Sequence, residues 1–117
     1  MRTATLALLA CLSAAAADVS GTWQTSFTNS EGQLRQSTLT LRQSSGALAG
    51  EFVSARGKAP LSTGSVLGSK IAFTVVRKGN GDEIPIRFTG AVSGDTMKLH
   101  MRIRGRPPIR MTARRER

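Results

Sequence analysis

Thr63-Gly64-Ser65-Val66-Leu67-Gly68 returns 26 residues later as Thr89-Gly90-Ala91-Val92-Ser93-Gly94. Each copy runs into an alternating segment, with Ile71, Phe73 and Val75 in the first and Met97, Leu99 and Met101 in the second. A period of two puts those three side chains on one face of a strand. Gly68 and Gly94 fall where a tight connection between antiparallel strands needs a positive φ. One hairpin is written twice, and the chain reads as a repeated β-meander.

Outward from this repeat, the same alternation gives eight short strands and no helical stretch. The first covers residues 21–28, with Trp23, Thr25 and Phe27 on one face, and a turn cluster at 29–32 follows it. The second, 34–43, turns Ser37, Leu39 and Leu41 inward, and the third, 47–55, does the same with Leu48 and Phe52. Residues 56–60 and 78–82 read as longer loops on either side of the first repeated hairpin. Gly105-Arg106-Pro107-Pro108 leads into a last strand at 109–113. Connections this short join only antiparallel neighbours. Eight strands with one apolar face remove their edges by closing. The expected fold is all-β, a small antiparallel up-and-down barrel. Its inner face takes the large apolar residues of the alternation, from Trp23 and Phe27 through Ile84, Ile86 and Phe88 to Ile109 and Met111, and no arginine is evident on it. An eight-stranded barrel is wide enough to be filled by its side chains or to hold one small ligand, and this many large residues favour filling.

Tracing the meander sorts the connections by end. The tight turns at 44–46, 67–69 and 93–95 form a closed floor. The connections at 29–32, 56–60, 78–82 and 105–108 ring a mouth. Trp23 starts the first strand and so lies at the floor, where closure brings Arg114 or Arg115 beside its indole.

Gly21-Thr22-Trp23 at the head of such a meander resembles the Gly-x-Trp start of the calycin barrels, the lipocalins and avidins. In lipocalins an arginine from near the last strand covers that tryptophan, which the resemblance implies here too. Over residues 19–113 the pattern is more similar to a class of short exported bacterial β-domains of unknown function. These show an Ile-x-Phe strand, here Ile71-Ala72-Phe73, and a Phe-Thr-Gly-x-Val-x-Gly strand, here Phe88 to Gly94. With one Trp and no Tyr, the aromatic set of the biotin-binding barrels is missing.

Met1-Arg2 followed by an apolar run at 3–12 and Ala15-Ala16-Ala17 has the layout of an export signal with its cleavage site. The run is short of the roughly 20 residues of a membrane-spanning helix. Residues 1–17 are therefore expected to be removed, leaving 18–117 as one barrel domain with a basic tail, periplasmic or extracellular. The alternative is a lipoprotein anchored through Cys11, the only cysteine. Cleavage after Ala17 leaves no thiol, and stability must come from the core.

The net charge of +10 is unevenly spread: residues 98–117 carry +7 and residues 18–97 only +2. If Ile103 pairs with Ile109 and Met101 with Met111, the outward pairs of the last hairpin are Arg102 with Arg110 and Lys98 with Arg114. Like charges directly opposed are destabilising, so such a stripe serves solubility or an acidic partner. A second group, Arg56, Lys58, Lys78, Arg104 and Arg106, is placed at the mouth to receive an anionic small molecule, glycan or lipid headgroup. Nucleic acid is disfavoured, because no aromatic residue interleaves with these cations. Catalysis is not expected. His100 stands alone among outward cations, Asp82 and Glu83 are adjacent and point apart when extended, and no cluster has metal-ligand spacing. No cofactor is called for.

The sequence thus describes an exported binding or accessory module for an anionic ligand or surface, the alternative being a structural or envelope-associated protein without a small ligand. N-terminal sequencing of the exported form should begin at Asp18. An intact Met1, or a lipid on Cys11, would overturn that expectation.

Overall fold

In the computed structural model, which describes residues 18–79 and 81–116, the alternating segments form eight strands that close on themselves. They are β1 (Gly21–Thr28), β2 (Leu34–Ser44), β3 (Ala47–Ser54), β4 (Gly57–Leu67), β5 (Lys70–Gly79), β6 (Asp82–Ser93), β7 (Thr96–Ile103) and β8 (Ile109–Arg115). Each pairs antiparallel with its neighbour in sequence, and β8 returns to β1 in a register running from Trp23–Arg115 to Ser26–Thr112. The expected all-β antiparallel barrel is the fold. The expected signal, with Cys11, lies outside the described residues.

Burial follows the period of two. Leu39, Leu41, Ile71, Phe73, Val75, Phe88, Met97, Leu99 and Met111 are almost fully buried, and their neighbours along each strand face out. The interior is filled by these side chains. Phe73 stacks on Phe88 with ring centroids 4.7 Å apart, and Phe52 tilts against Phe88 at 5.4 Å. The one polar pair inside, Thr25 and Ser37, satisfies itself: Thr25 Oγ1 donates to the Ser37 carbonyl at 3.2 Å, and the two hydroxyls also bond. Ile84, expected inside, is 39% exposed because it lies at the mouth end of β6, beyond the packed layers.

The repeat now has a physical explanation at both of its glycines. Gly68 and Gly94 make their turns with φ of 63° and 61°. Gly90 has no positive φ but faces inward, where a Cβ would lie 2.0 Å from the Lys98 carbonyl oxygen on β7. Its missing side chain lets the two strands close up.

Two connections differ from expectation. β4 begins at Gly57 and β5 runs to Gly79, so the β3–β4 connection is only Ala55-Arg56 and the β5–β6 connection only residues 80–81. Lys58 and Lys78 consequently sit on strands. The glycines at 57 and 79 continue the ladders rather than interrupt them.

The floor is closed by a segment the alternation does not predict. Residues 18–20 cross beneath the barrel, with Val19 fully buried. Trp23 Nε1 donates to the Val19 carbonyl at 3.0 Å, and Val19 N donates to Gln43 Oε1 at 3.0 Å. Gln43 N in turn donates to Ser20 Oγ at 3.0 Å. Ser20 N donates to Asp18 Oδ1, which holds the Asp18 carboxyl below its usual range. Arg115, one of the two arginines expected at this place, lies over the Trp23 ring at 4.5 Å. It also donates to the carbonyls of Ser20 at 2.7 Å and Asp18 at 2.9 Å and pairs with Asp95 at 2.9 Å. The other candidate, Arg114, faces out.

Trp23→Ala should cost about 3–5 kcal/mol, as truncating a buried aromatic residue does. Arg115→Ala should cost less, because the indole keeps its contacts inside the barrel. Urea unfolding followed by circular dichroism checks both, and an unchanged midpoint for Trp23→Ala would mean that the indole is not part of the core.

Candidate functional site

With the interior filled, chemistry is left to the outer wall and the mouth. On the wall, outward positions of β5–β8 hold Lys70, Arg87, Lys98, Arg102, Arg110 and Arg114. The only carboxylates in these four strands are Asp82 and Glu83, both at the mouth end of β6. The β1–β3 wall is nearly neutral: β1 and β2 present Gln24, Ser26, Gln36, Thr38 and Thr40, Arg42 lies across from Ala49, and Glu51 on β3 lies across from Thr40.

All four residues of the expected stripe, Lys98, Arg102, Arg110 and Arg114, are therefore on one wall, but they do not pair as expected. Met101 lies opposite Ile109 and Leu99 opposite Met111, so Arg110 faces His100, Arg114 faces Thr96 and Lys98 faces Thr112. The register is shifted by two residues: the ladder still starts at Ile109, but against Met101 rather than Ile103, and Pro107 and Pro108, which would face Ile103 and Arg102, have no N–H to extend it. The Ile103 carbonyl accepts instead from Arg106 N at 3.0 Å. A shift of two keeps every side chain on its face, so the stripe survives while its pairs dissolve. The like-charge pair that does form is Arg87 with Arg102, across β6 and β7.

Three successive strands place Lys70, Ala91 and Lys98 side by side, and in the next row Ala72, Thr89 and His100. Small side chains between long cationic ones leave a groove of about 520 Å³, floored by Ala72, Thr89, Gly90 and Ala91 and edged by Lys70, Lys98 and His100. A second hollow of about 430 Å³ lies on the far side of Lys98, among Gln24, Ser26, Gln36, Thr112 and Arg114. Lys98 thus stands as a cationic ridge between two recesses.

The expected mouth group is not brought together. Arg56, in the β3–β4 turn, and Lys58, on β4, are on one side of the ring. Arg104 and Arg106, in the β7–β8 loop, are on the opposite side. Lys78 lies across from Glu83. The alternation does place an arginine on the inner face, contrary to the sequence reading: Arg77 continues the series Ile71, Phe73, Val75, is half-buried, and lies across from Ile84. Burial first, and then the neighbouring Arg56 guanidinium, hold Arg77 below the usual arginine range. Arg77, Lys70 and Arg87 were all legible in the period of two. They stand within mixed segments, so a charge count along the chain does not single them out.

Among the described residues no group of three or more His, Cys, Asp or Glu side chains is placed to hold a metal ion. His100 is exposed, with Thr89 on one side and Arg110 on the other.

No protein-family model and no curated protein matches the chain. Among solved structures it is similar to a redesigned β-barrel, at 16% identity and a TM-score of 0.67, over 85% of this chain and 92% of that one. At that identity the likeness is one of fold.

Arg87→Thr and Arg102→Thr should each leave stability unchanged or a few tenths of a kcal/mol higher, and a double-mutant cycle should show repulsion between the two positions that weakens with salt. The same cycle on Arg102 and Arg110 should show little coupling. Strong coupling there and none between Arg87 and Arg102 would restore the register first expected.

Proposed function

We propose that this protein is an exported binding or accessory module whose β5–β8 wall engages an anionic surface, either a glycan or the headgroups of a membrane. The observation that carries this reading is the six-cation wall without a carboxylate between the floor turns and the mouth. Such a wall concentrates positive potential on one side of a small molecule and steers it toward polyanions. Solubility alone does not call for this arrangement, since charges of both signs spread around the barrel would serve it as well.

The two recesses beside Lys98 suit a chain of ring-shaped units better than a flat sheet. An anionic sugar unit can rest on the small-residue floor while Lys70 and Lys98 contact its carboxylate or sulfate. Stacked nucleobases fit this wall less well, because all five aromatic residues lie on inner-face positions. The alternative, a structural or envelope-associated role, needs no such asymmetry.

Co-sedimentation with vesicles of phosphatidylglycerol and phosphatidylcholine, and with an anionic polysaccharide, tests the reading. Binding should be strong at low salt, fall steeply as the screening length shortens to about 8 Å at physiological ionic strength, and be absent on pure phosphatidylcholine. Arg87→Thr/Arg102→Thr should weaken it, and Arg56→Thr/Lys58→Thr should not. Salt-independent binding, or equal binding to the neutral vesicles, would leave the structural role as the better account.

A further inference from the structure

We infer that the turn between β4 and β5, at the floor end of the barrel, is a membrane-docking tip: Leu67 enters an anionic bilayer below its headgroups while Lys70 and Lys98 hold the phosphates. The inference rests on the outer-wall reading and, of the two anionic surfaces named there, selects the membrane.

The duplicated hairpin supplies its own control. Leu67-Gly68-Ser69-Lys70 stands where Ser93-Gly94-Asp95-Thr96 stands 26 residues later. The two turns have the same form, with the glycine φ at 63° and 61°. Ser93 closes the second copy, so the geometry of the turn makes no demand for a leucine. Leu67 is nonetheless 82% exposed, more than Leu34 or Ile84, the other large apolar side chains that face solvent among the described residues. It serves neither the turn nor the core. The turn that carries it is held in place, because the Ser69 carbonyl accepts from Val92 N at 2.9 Å. The leucine is therefore presented at a set position on the rim of the floor.

The strand register sets cations beside this tip. Leu67, Lys70, Ala91, Lys98 and Thr112 lie in one row across β4 to β8. Lys70 is the direct neighbour of Leu67, and Lys98 stands two strands beyond Lys70, about 10 Å away at the usual spacing of strands. The next row consists of small side chains, Ala47, Ser65, Ala72 and Thr89, before it reaches His100. The one carboxylate in the three floor turns, Asp95, is bonded to Arg115 at 2.9 Å.

An apolar tip beside lysines is the combination that a bilayer interface rewards. The leucine reaches below the headgroups, while the lysine stems lie along the boundary and their ammonium groups stay with the phosphates. Either signal alone gives marginal attachment, and the two together give a firm one. The groove of about 520 Å³ beside the tip, edged by Leu67, Lys70 and Lys98, then takes a single headgroup drawn from the bilayer. An extended anionic glycan uses the lysines and the small-residue floor but gains little from the aliphatic tip. A second copy of this chain is a poor partner, because two-fold pairing would set Lys70 and Lys98 against the same cations.

The test is co-sedimentation of the exported protein at low salt with vesicles of equal parts phosphatidylglycerol and phosphatidylcholine, beside titration with alginate, a soluble anionic polysaccharide. Leu67→Ser, which copies the second turn, should keep the parent's unfolding temperature and alginate affinity. It should bind the vesicles about tenfold more weakly, the loss expected when one leucine is no longer buried. Lys70→Gln should weaken binding to both. Leu67→Trp should bind the vesicles as well as the parent does. Its added emission, read as the difference from the parent's Trp23 signal, should move to shorter wavelength on vesicles and not on alginate. Arg56→Thr/Lys58→Thr, at the mouth, should change neither affinity. An undiminished vesicle affinity in Leu67→Ser, or emission in Leu67→Trp that does not shift on bound vesicles, would overturn the tip and leave the cationic wall standing. An equal loss on alginate in Leu67→Ser would overturn it too, because the leucine would then belong to the groove rather than to a bilayer. A parent that binds neither vesicles nor alginate at low salt would remove the outer-wall reading itself, and the tip with it.

Discussion

Where the ring closes, the Arg115 guanidinium lies over the Trp23 indole. Seven of the eight ladders join strands that are adjacent in the chain, and each is a hairpin that forms from local information. The eighth ladder, between β1 and β8, is the short one with four paired positions, and at its end Arg115 ties together four parts of the fold. It covers the indole, bonds the carbonyls of Asp18 and Ser20, and pairs with Asp95 in the β6–β7 turn. A guanidinium can do this because its donors point outward in one plane while its face stays free for the ring. A lysine in the same place offers a point charge and no face.

With the ring closed and filled, the period of two divides the molecule cleanly. Inner positions are committed to packing, from the Phe52, Phe73 and Phe88 group to Leu39 and Leu41 near the floor. Outer positions are held to no packing requirement and can carry whatever charge a partner selects. The glycine at position 90 shows the two demands meeting. Its bare inner face lets β6 press against β7, and the small residues beside it floor the outer groove.

The features legible in the sequence were those set over a few residues. The strand alternation, the turns at Gly68 and Gly94 and the position of Trp23 at the floor depend on local spacing, and they appear as read. What spacing could not give was the pairing of β7 with β8, since the loss of two ladder positions to Pro107 and Pro108 shows only when the partner strand is in place. The floor segment at Asp18–Ser20 has no periodicity to announce it, being held by side chains from β2 and β8. The grooves beside Lys98 arise from residues aligned across three strands, and no single strand's pattern contains them. Arg77 differs from these: the alternation of Ile71, Phe73 and Val75 reaches it directly.

The chain distance spanned by the floor latch also bears on how the barrel is made and unmade. Arg115 meets Ser20 and Asp18 across 95 and 97 residues, whereas every other ladder is closed by a turn of a few. Bringing such distant segments together is entropically the costliest contact in the fold and among the last to be rewarded. The hairpins can therefore zip in sequence into an open, curled sheet, with the seam between β1 and β8 joining at the end. Contacts that form after the rate-limiting step govern the rate of opening rather than the rate of folding. The seam is then the place where the native barrel first parts. What holds that seam is a four-position ladder and one cation resting on one indole, a small joint beside the core it encloses.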